Sequence, residues 1–347
     1  MTTLPAPAQT LMYREARESA DRVGAQLAAN EAAVAALARE LRAQPPRFIV
    51  TSARGSSDHA ATFAKYVFET QLGYATSSAS PSVSSVYAVP QRLDGALYLA
   101  ISQSGKSPDL LRQARAAGAA GARVVAIVNA ADSPLAQIAD AVIPLHAGAE
   151  NSVAATKSYI CSLSAIIHIA ALWKDDEGLL AALRQVPAAL ARTWDMDWTP
   201  LVEGLVGARN LFVVARGLGL AAAQEAALKL KETCGLHAEA FSAAEVKHGP
   251  MTLVEAGFPV LFFAQDDDTR VSTLAVADEF RQRGAHVWIA SSLDAGAGTL
   301  AVAAIGHPVC ASLVSIASFY RAANALALRR GRNPDVPPHL RKVTETV

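Results

Sequence analysis

The amino-acid sequence predicts an α/β protein in which two parallel sheets follow one another along the chain, each flanked by helices as a doubly wound αβα sandwich. From residue 47 onward, short apolar segments of strand length alternate with amphipathic helical patterns. The alternation starts again near residue 210, and segments 47–55 and 210–217 match when a gap of one residue is allowed. Such alternation is typical of parallel sheets that are covered on both faces. We therefore expect two related α/β domains in tandem.

The first element is a helical region that precedes the first strand. Residues 12–42 are rich in Ala, Glu, Leu and Arg and carry apolar residues at helical spacing, with a break expected near Asn30. The strands predicted for the first sheet are short apolar runs: Phe48–Thr51, Leu97–Ile101, Val124–Val128 and Ala141–Leu145. We expect helices between these strands to cover both faces of the sheet.

The second sheet is predicted from four similar runs: Leu211–Val214, Val260–Ala264, Val287–Ala290 and Ala301–Ile305. Residues 180–200 are rich in helix-forming residues and predict the connection between the two sheets. The expected organisation is a helical lead-in (1–46), a first, phosphate-binding domain (47–180), a second, catalytic domain (201–330) and a C-terminal tail over the active site (331–347).

Composition and charge restrict the class of function. Lys plus Arg and Asp plus Glu both total 31, so the formal net charge is zero and no overall field attracts nucleic acid or an anionic membrane. The three cysteines are widely spaced, which argues against a disulfide framework or a thiolate metal site. The N-terminus lacks the pattern of a secretory signal, and the longest uncharged stretch, 295–320, is broken by a Gly-His-Pro turn. We expect a cytoplasmic protein without a membrane span or a nucleic-acid partner.

The most informative motif is the polar turn after the predicted strand Leu97–Ile101. Residues 102–107 read Ser-Gln-Ser-Gly-Lys-Ser, with Ser107 suited to a helix N-cap, Pro108 to the first helical position and Asp109 to the first turn. Free N–H groups at that helix start would face the serine hydroxyls, and the helix dipole also favours an anion. The turn predicts a phosphate site, with an ordinary strand-to-helix turn as the alternative.

A second candidate site lies on the helical pattern that begins near Gly219. Glu225, Lys229 and Glu232 are spaced i, i+4 and i+7, so they share one helix face. This spacing most often gives salt bridges on a helix surface. A carboxylate placed in a cleft can instead carry a proton. The pattern alone fits both interpretations.

Two further residues are candidates for chemistry. His248 precedes Gly-Pro at the end of a helical stretch, where an exposed imidazole suits proton transfer near neutral pH, although a single His there more often caps a helix. Lys342 lies in a proline-rich tail that composition alone predicts to be a frayed terminus. Its amine can form a Schiff base with a carbonyl substrate if the tail folds over a cleft.

No set of residues predicts a metal site. His237 and Glu239 lack a third ligand at a recognisable spacing. The acidic run 266–268 follows the predicted strand Val260–Ala264, at the position where the first half has its serine-rich turn. Three carboxylates there would repel a phosphate. We expect phosphate to bind only in the first half, and we expect no metal or other cofactor.

Taken together, these motifs resemble those of the SIS (sugar isomerase) domain family, most closely the isomerase half of glutamine:fructose-6-phosphate amidotransferase. The resemblance extends over nearly the whole chain, which implies two tandem SIS domains. Six motifs carry it in order: 55–57, 102–107, 149–157, 229–232, 245–250 and 340–342.

The resemblance also implies roles for individual residues. Glu232 would move a proton between C1 and C2, with Lys229 fixing the substrate or an enolate-like oxygen by its charge. His248 would assist sugar ring opening across the interface of a homodimer that shares its active sites, and Lys342 would meet the open-chain carbonyl. The implied sugar-phosphate ligands are Ser102, Gln103, Ser104 and Ser107, with Ser57 nearby.

Two departures from the amidotransferase pattern change the expected activity. The sequence begins Met-Thr-Thr, without the N-terminal cysteine nucleophile of a glutaminase, and leaves no room for a glutaminase domain before residue 47. Ala155 stands where a serine usually precedes Thr156 and Lys157, which removes one polar substrate contact. We therefore expect an isomerase module similar to the stand-alone glucosamine-6-phosphate deaminases.

The expected reaction converts glucosamine 6-phosphate into fructose 6-phosphate and ammonia through ring opening, C1–C2 proton transfer and hydrolysis of a C2 imine. An aldose–ketose phosphosugar isomerase and a deglycase acting on a phosphorylated sugar amine are alternatives that would use the same residues. A third alternative is a non-catalytic module that senses a phosphosugar, but such modules usually add a DNA-binding helix-turn-helix. The sequence is compatible with both glucosamine and galactosamine derivatives as the sugar.

Overall fold

The computed structural model describes residues 4–342, which divide into two compact units. Unit 1 contains residues 4–20, 151–157 and 185–340, and unit 2 contains residues 21–150, 158–184 and 341–342. Each unit holds one five-stranded sheet in which every strand pairing is parallel. The predicted α/β architecture with two parallel sheets is therefore confirmed.

The strands and helices alternate along most of the chain. The strands are β1 (Phe48–Ser52), β2 (Thr76–Ser78), β3 (Ala96–Ser102), β4 (Arg123–Val128), β5 (Ala141–Pro144), β6 (Asn210–Ala215), β7 (His237–Ser242), β8 (Pro259–Phe263), β9 (His286–Ser291) and β10 (Thr299–Ala301). The α-helices of the described residues are α1 (Leu11–Arg17), α2 (Ser19–Ala43), α3 (Ser56–Val67), α4 (Pro81–Ser85), α5 (Pro108–Ala119), α6 (Pro134–Ile138), α7 (Lys157–Lys174), α8 (Glu177–Trp194), α9 (Thr199–Leu205), α10 (Leu220–Cys234), α11 (Arg270–Gln282) and α12 (Ala311–Arg329).

The two sheets have the same strand order. It is β2-β1-β3-β4-β5 in unit 2 and β7-β6-β8-β9-β10 in unit 1. The segments that match in sequence contain the equivalent strands β1 and β6, and each strand is followed by a glycine with nearly the same backbone angle, φ 58° at Gly55 and 59° at Gly217. In such open sheets the strand order reverses beside the first strand, and ligands bind at the carboxyl ends of the strands there. In unit 2 this point lies between β1 and β3.

Apolar strands form the core of each unit. All seven residues of β3 are buried, as are all five of β8, which is typical of central strands covered by helices on both faces. The helical segment Pro308–Arg329 is long and apolar enough to cross a membrane by length and composition, yet 83% of its most apolar window is buried inside the protein. Its apolar residues therefore have a place in the protein core.

Residues distant in sequence fix the N-terminal segment of unit 1. The hydroxyl of Thr10 donates to Asn324 Oδ1 on α12 at 2.7 Å. The carboxylate of Asp335 accepts from the backbone N–H groups of Leu11 and Met12 at 2.7 and 2.8 Å, which satisfies donors that a helix start leaves open. Glu15 on α1 accepts from the N–H of Asn151 at 2.6 Å. Unit 1 is therefore built from three separate stretches of the chain.

The predicted break near Asn30 is wrong. Helix α2 runs without interruption through that residue, and the boundary with α1 lies at Glu18 instead. Asn30 is buried, and its side chain donates to the carbonyl of Pro144 at 2.7 Å and lies 3.2 Å from Nε2 of His146. These tertiary hydrogen bonds satisfy the amide, so it does not compete with the helix backbone.

The predicted strand Ala301–Ile305 is largely wrong, because β10 ends at Ala301. The N–H of Ala303 donates to the hydroxyl of Thr193 at 3.3 Å rather than to a neighbouring strand. The sequence prediction also missed β2 and β7. Both lie at sheet edges, where partial exposure admits polar residues, so neither forms an apolar run.

A buried imidazole in unit 2 makes folding stability depend on pH. His168 on α7 is buried, with Nε2 3.3 Å from Oε2 of Glu31 on α2, and Arg184 on α8 lies 3.9 Å from the same carboxylate. Burial lowers the pKa of His168, and the Glu31 carboxylate opposes this shift only in part.

We expect the free energy of unfolding to fall as pH decreases below about 6.5, the ordinary histidine pKa. The unfolded chain binds a proton at His168 more readily than the folded chain does. The contribution of the neutral His168 to the free energy of unfolding is therefore complete above that pH, and it is lost as the pH falls toward the lower pKa of the folded state. Denaturant unfolding between pH 8 and 5.5 would measure this, with His168→Gln as the comparison. An unchanged pH dependence in the variant would contradict the assignment.

Candidate active site

The polar turn 102–107 lies at the carboxyl end of β3, the central strand of unit 2. Helix α5 begins at Pro108 with Ser107 as its N-cap residue, as the sequence predicts. The Ser107 side chain makes no capping hydrogen bond, so its hydroxyl is not committed to closing the helix. Ser57 lies in the first turn of α3, after β1, and β1 pairs directly with β3. Both turns therefore lie at the same edge of the sheet.

The first serine of the turn shapes its backbone. Ser102 is buried, and its hydroxyl accepts from the N–H of Gly105 at 3.0 Å. Gln103, Ser104 and Ser107 are partly exposed. The Ser102 hydroxyl therefore holds the turn together, and the side chains of Gln103, Ser104 and Ser107 remain accessible to a ligand.

Gly105 is required by the turn. Its φ of +62° is a conformation that L side chains rarely adopt, and an added Cβ would lie 2.1 Å from Oγ of Ser133. Ser133 itself accepts from the N–H of Ala136 at the start of α6. The N–H of Leu135 donates to the Gly105 carbonyl at 3.2 Å, so the polar turn is packed against that helix start.

We expect Gly105→Ala to weaken phosphate-ester binding by about tenfold or more, because the collision with Ser133 displaces the turn. Gly73→Ala is the matched control, since Gly73 has φ +74° but no atom within 4 Å of an added Cβ. Calorimetric titration with fructose 6-phosphate would compare the two variants. Equal affinities would show that the turn does not hold the phosphate.

An ion pair lies beside the polar turn. Arg54, which follows β1, donates through Nε and Nη2 to Oδ2 of Asp109 in the first turn of α5, at 2.9 and 2.6 Å. The Asp109 side chain is only 1% exposed, whereas that of Arg54 is 50% exposed. The neutral pair joins the turn after β1 to the start of α5 and leaves the guanidinium half-exposed at the sheet edge where both serine turns lie, a contact that the sequence analysis missed.

In unit 1, α10 carries the predicted cluster of charged residues. The Nζ atom of Lys229 lies 3.6 Å from Oε1 of Glu225 and is hydrogen bonded to Oε2 of Glu232. The hydroxyl of Tyr320 on α12 donates to Glu225 Oε1 at 3.0 Å. The side chains of Glu225 and Lys229 are 0% and 1% exposed, but Glu232 is 21% exposed. The cluster is therefore not a surface salt bridge, and of its two carboxylates Glu232 is the one open to solvent.

Glu232 opens into a pocket of about 590 Å³ within unit 1. The pocket is formed by α10 and by residues of the C-terminal tail: Leu228, Lys231, Glu232, Arg332, Pro338, His339 and Leu340. A carboxylate at the edge of a water-accessible pocket, backed by a buried ammonium, can accept and return a proton. Four residues of the C-terminal tail thus lie beside Glu232 in this pocket. Residues 343–347 of the predicted tail 331–347 lie outside the described part of the chain.

His248 and Lys342 are placed elsewhere. His248 ends a short 3-10 helix, Glu245–Lys247, and is exposed, as predicted, and it does not line the Glu232 pocket. In unit 2, the Lys342 ammonium donates to Oε2 of Glu150 at 3.2 Å. Glu150 is buried and also accepts from the hydroxyl and N–H of Ser158. Sequence analysis placed Glu150 in a motif but gave it no role.

Among residues 4–342, no group of three or more His, Cys, Asp or Glu side chains is arranged to hold a metal ion. In the acidic run, the Asp267 carboxylate accepts from the N–H and hydroxyl of Thr269. Burial raises the pKa of the Cys234 thiol to about 11 and that of Cys310 to about 12, which keeps both thiols protonated near neutral pH.

Comparison with protein families identifies the fold. The SIS domain model matches residues 44–172 and 204–297, which together are more than half of the chain. The matched segments contain the turn 102–107 and the charged cluster on α10.

Curated relatives include glutamine–fructose-6-phosphate aminotransferases. The Thermus thermophilus protein is 33% identical over 83% of this chain, and the Zymomonas mobilis protein is 32% identical over 74%. These matches cover 50% and 45% of the relatives, so the chain spans about half the length of the curated proteins it matches.

Solved structures show the same fold. A proposed phosphosugar isomerase from Silicibacter pomeroyi is 44% identical, with a TM-score of 0.88 over 94% of this chain and 100% of that chain. The C-terminal domain of the aminotransferase from Francisella tularensis is 25% identical, with a TM-score of 0.85 over 95% and 98%. A glucosamine-6-phosphate deaminase from Thermotoga maritima shares the fold at 19% identity, with a TM-score of 0.77 over 97% and 100%. The chain therefore belongs to the SIS domain family.

Proposed function

We propose that this protein is an enzyme of phosphosugar metabolism that converts glucosamine 6-phosphate into fructose 6-phosphate and ammonia. The observation that carries the proposal is the partly exposed carboxylate of Glu232, which is hydrogen bonded to a buried lysine at the edge of a pocket. After ring opening, Glu232 would take the C2 proton of the sugar and return it to C1. This transfer turns the C2 amine into a C2 imine, which water hydrolyses.

Lys229 supports this role by its charge. Its ammonium is buried between Glu225 and Glu232 on one helix face, so it is held in place before the substrate arrives. A fixed positive charge stabilises the negative oxygen of an enol-like intermediate with little reorganisation. We therefore assign Lys229 to electrostatic stabilisation and Glu232 to proton transfer.

The preference for an amino sugar over the corresponding aldose follows from the resemblance to the stand-alone glucosamine-6-phosphate deaminases. Lys231 and Arg332 line the pocket together with Glu232, so the charges around the pocket do not by themselves select a cationic substrate.

The phosphate group would bind in unit 2. The turn 102–107 offers the hydroxyls of Ser104 and Ser107 and the amide of Gln103, beside the start of α5, with Ser102 holding the turn and Ser57 on the neighbouring turn. Helix starts favour phosphates because their N–H groups are unpaired and the dipole is positive there. The half-exposed Arg54 guanidinium lies at the same sheet edge and has further N–H donors, although its charge is balanced by Asp109.

The other assignments follow from the resemblance to SIS enzymes. Lys342 would meet the open-chain carbonyl, and His248 would assist ring opening from the neighbouring subunit of a cytoplasmic homodimer. The exposed position of His248 on a turn is compatible with a role at a subunit interface. Sedimentation would test the dimer, and a fully active monomer would contradict it.

The deciding experiment incubates the purified protein with glucosamine 6-phosphate, without glutamine or any cofactor. Equal amounts of ammonia and fructose 6-phosphate would establish the deaminase. Interconversion of glucose 6-phosphate and fructose 6-phosphate without ammonia release would identify an isomerase instead. Inactivity on both substrates would contradict the proposal and favour a deglycase or a sensing module.

A further inference from the structure

The Glu232 pocket contains an imidazole that the proposed steps do not use. His339 lines the pocket together with Glu232, and it comes from the C-terminal tail rather than from α10. Its side chain is exposed, and within residues 4–342 it makes no hydrogen bond or ion pair. Its two polar atoms are therefore available to a molecule in the pocket.

The backbone at this residue is unusual for histidine. The N–H of Leu340 donates to the Pro337 carbonyl at 3.4 Å, which closes a four-residue turn with Pro338 and His339 at its centre. His339 has φ +65°, the left-handed conformation. Proline followed by a residue with positive φ is the pattern of a type II turn, and that second position is usually Gly or Asn. Histidine is therefore not the residue that the turn geometry alone would favour.

The other polar side chains of the pocket cannot replace an imidazole as a base. Arg332 retains its proton in proteins, and a lysine ammonium such as Lys231 has no lone pair to accept one. Glu232 is already assigned to the transfer between C2 and C1. An imidazole can both accept and donate a proton near neutral pH.

We propose that His339 is the proton carrier for hydrolysis of the C2 imine, an inference that rests on the proposed deaminase function. Its neutral imidazole takes a proton from water as the water oxygen bonds to C2, and the electrons of the C=N π bond move to nitrogen. The nitrogen then receives that proton, which gives a carbinolamine. Transfer of the hydroxyl proton to nitrogen through the same imidazole breaks the C2–N bond, forms the C2 carbonyl and releases ammonia.

Deamination thus requires His339 and isomerisation does not, because only deamination adds water at C2. The chemistry before the imine, including removal of the C2 hydrogen by Glu232, does not involve His339. A variant without this imidazole should therefore lose ammonia release and keep proton exchange at C2.

The test compares wild-type protein with His339→Asn, since asparagine tolerates the left-handed backbone, and with His339→Gly, which leaves space for added imidazole. Ammonia release from glucosamine 6-phosphate should fall by about 100-fold in both variants. Exchange of the substrate C2 hydrogen with D2O should stay at the wild-type rate. Added imidazole should restore ammonia release to His339→Gly. His237→Asn, which removes an exposed imidazole on β7 outside the pocket, should release ammonia at the wild-type rate.

Each outcome decides a separate point. Unchanged ammonia release in His339→Asn, with an active wild type, overturns the role of His339 and leaves the deaminase assignment intact. Equal losses of exchange and ammonia release, without rescue by imidazole, also overturn it, because they indicate a structural effect. If the wild type releases no ammonia, the deaminase function and the role of His339 both fail.

Discussion

Replacement of Glu232 by glutamine is expected to reduce turnover of glucosamine 6-phosphate by about 100- to 10,000-fold, the range typical of a lost general base. Glutamine keeps the size of the side chain and an oxygen that can accept from Lys229, so the pocket should keep its shape. Affinity for fructose 6-phosphate should remain nearly unchanged, because the phosphate is assigned to the turn 102–107. Ammonia release and calorimetric titration on the same preparation would measure both quantities.

The matched control is Glu239→Gln, which neutralises an exposed carboxylate on β7 of the same unit. It should leave both turnover and affinity at wild-type values. Turnover retained in Glu232→Gln would contradict the assignment of the proton-transfer residue. A parallel loss of affinity would instead indicate that Glu232 mainly binds the sugar.

Replacement of Lys229 by methionine is expected to produce the largest loss of stability, about 3–5 kcal/mol in the free energy of unfolding. Methionine matches the length of the lysine stem but carries no charge. The variant would leave the fully buried carboxylate of Glu225 without its cationic partner, with the Tyr320 hydroxyl as a remaining donor. Urea unfolding of both proteins at pH 7 would measure the difference.

A second substitution separates charge from packing. Glu225→Gln combined with Lys229→Met removes both buried charges, so the double variant should recover a large part of the lost stability. A loss below about 1 kcal/mol in the free energy of unfolding of Lys229→Met would show that the charge of Lys229 contributes little to stability. A double variant no more stable than the single one would indicate lost packing instead.

The central strands could be predicted from sequence because their burial on both faces requires continuous apolar runs. β3 and β8 are the clearest cases, and the predicted runs agree with them to within one residue at each end. The edge strand β7 could not be predicted in this way, because only Ala238 is buried and its other five residues are exposed or partly buried. In the same way, the uninterrupted course of α2 depends on contacts of Asn30 with residues more than a hundred positions away.

The part of the candidate site that depends on spacing along one helix could be predicted from the sequence. The helical spacing placed Glu225, Lys229 and Glu232 on one face, but their burial depends on the packing of α12 and its Tyr320. The pairing of Arg54 with Asp109 joins two turns that are 55 residues apart. His339 lay in a tail whose composition predicted only a frayed end, and its place in the pocket follows from tertiary structure.

The discontinuous construction of unit 1 limits how this duplicated protein can be divided. A gene fragment that begins after residue 180 would encode the whole second sheet, yet it would lack α1 and residues 151–157. Its Asn324 and Asp335 would lose the partners that Thr10, Leu11 and Met12 supply. We therefore expect that the second repeat does not fold as an autonomous module. An isolated copy would require both missing stretches in trans, much as split proteins recover their fold by fragment complementation.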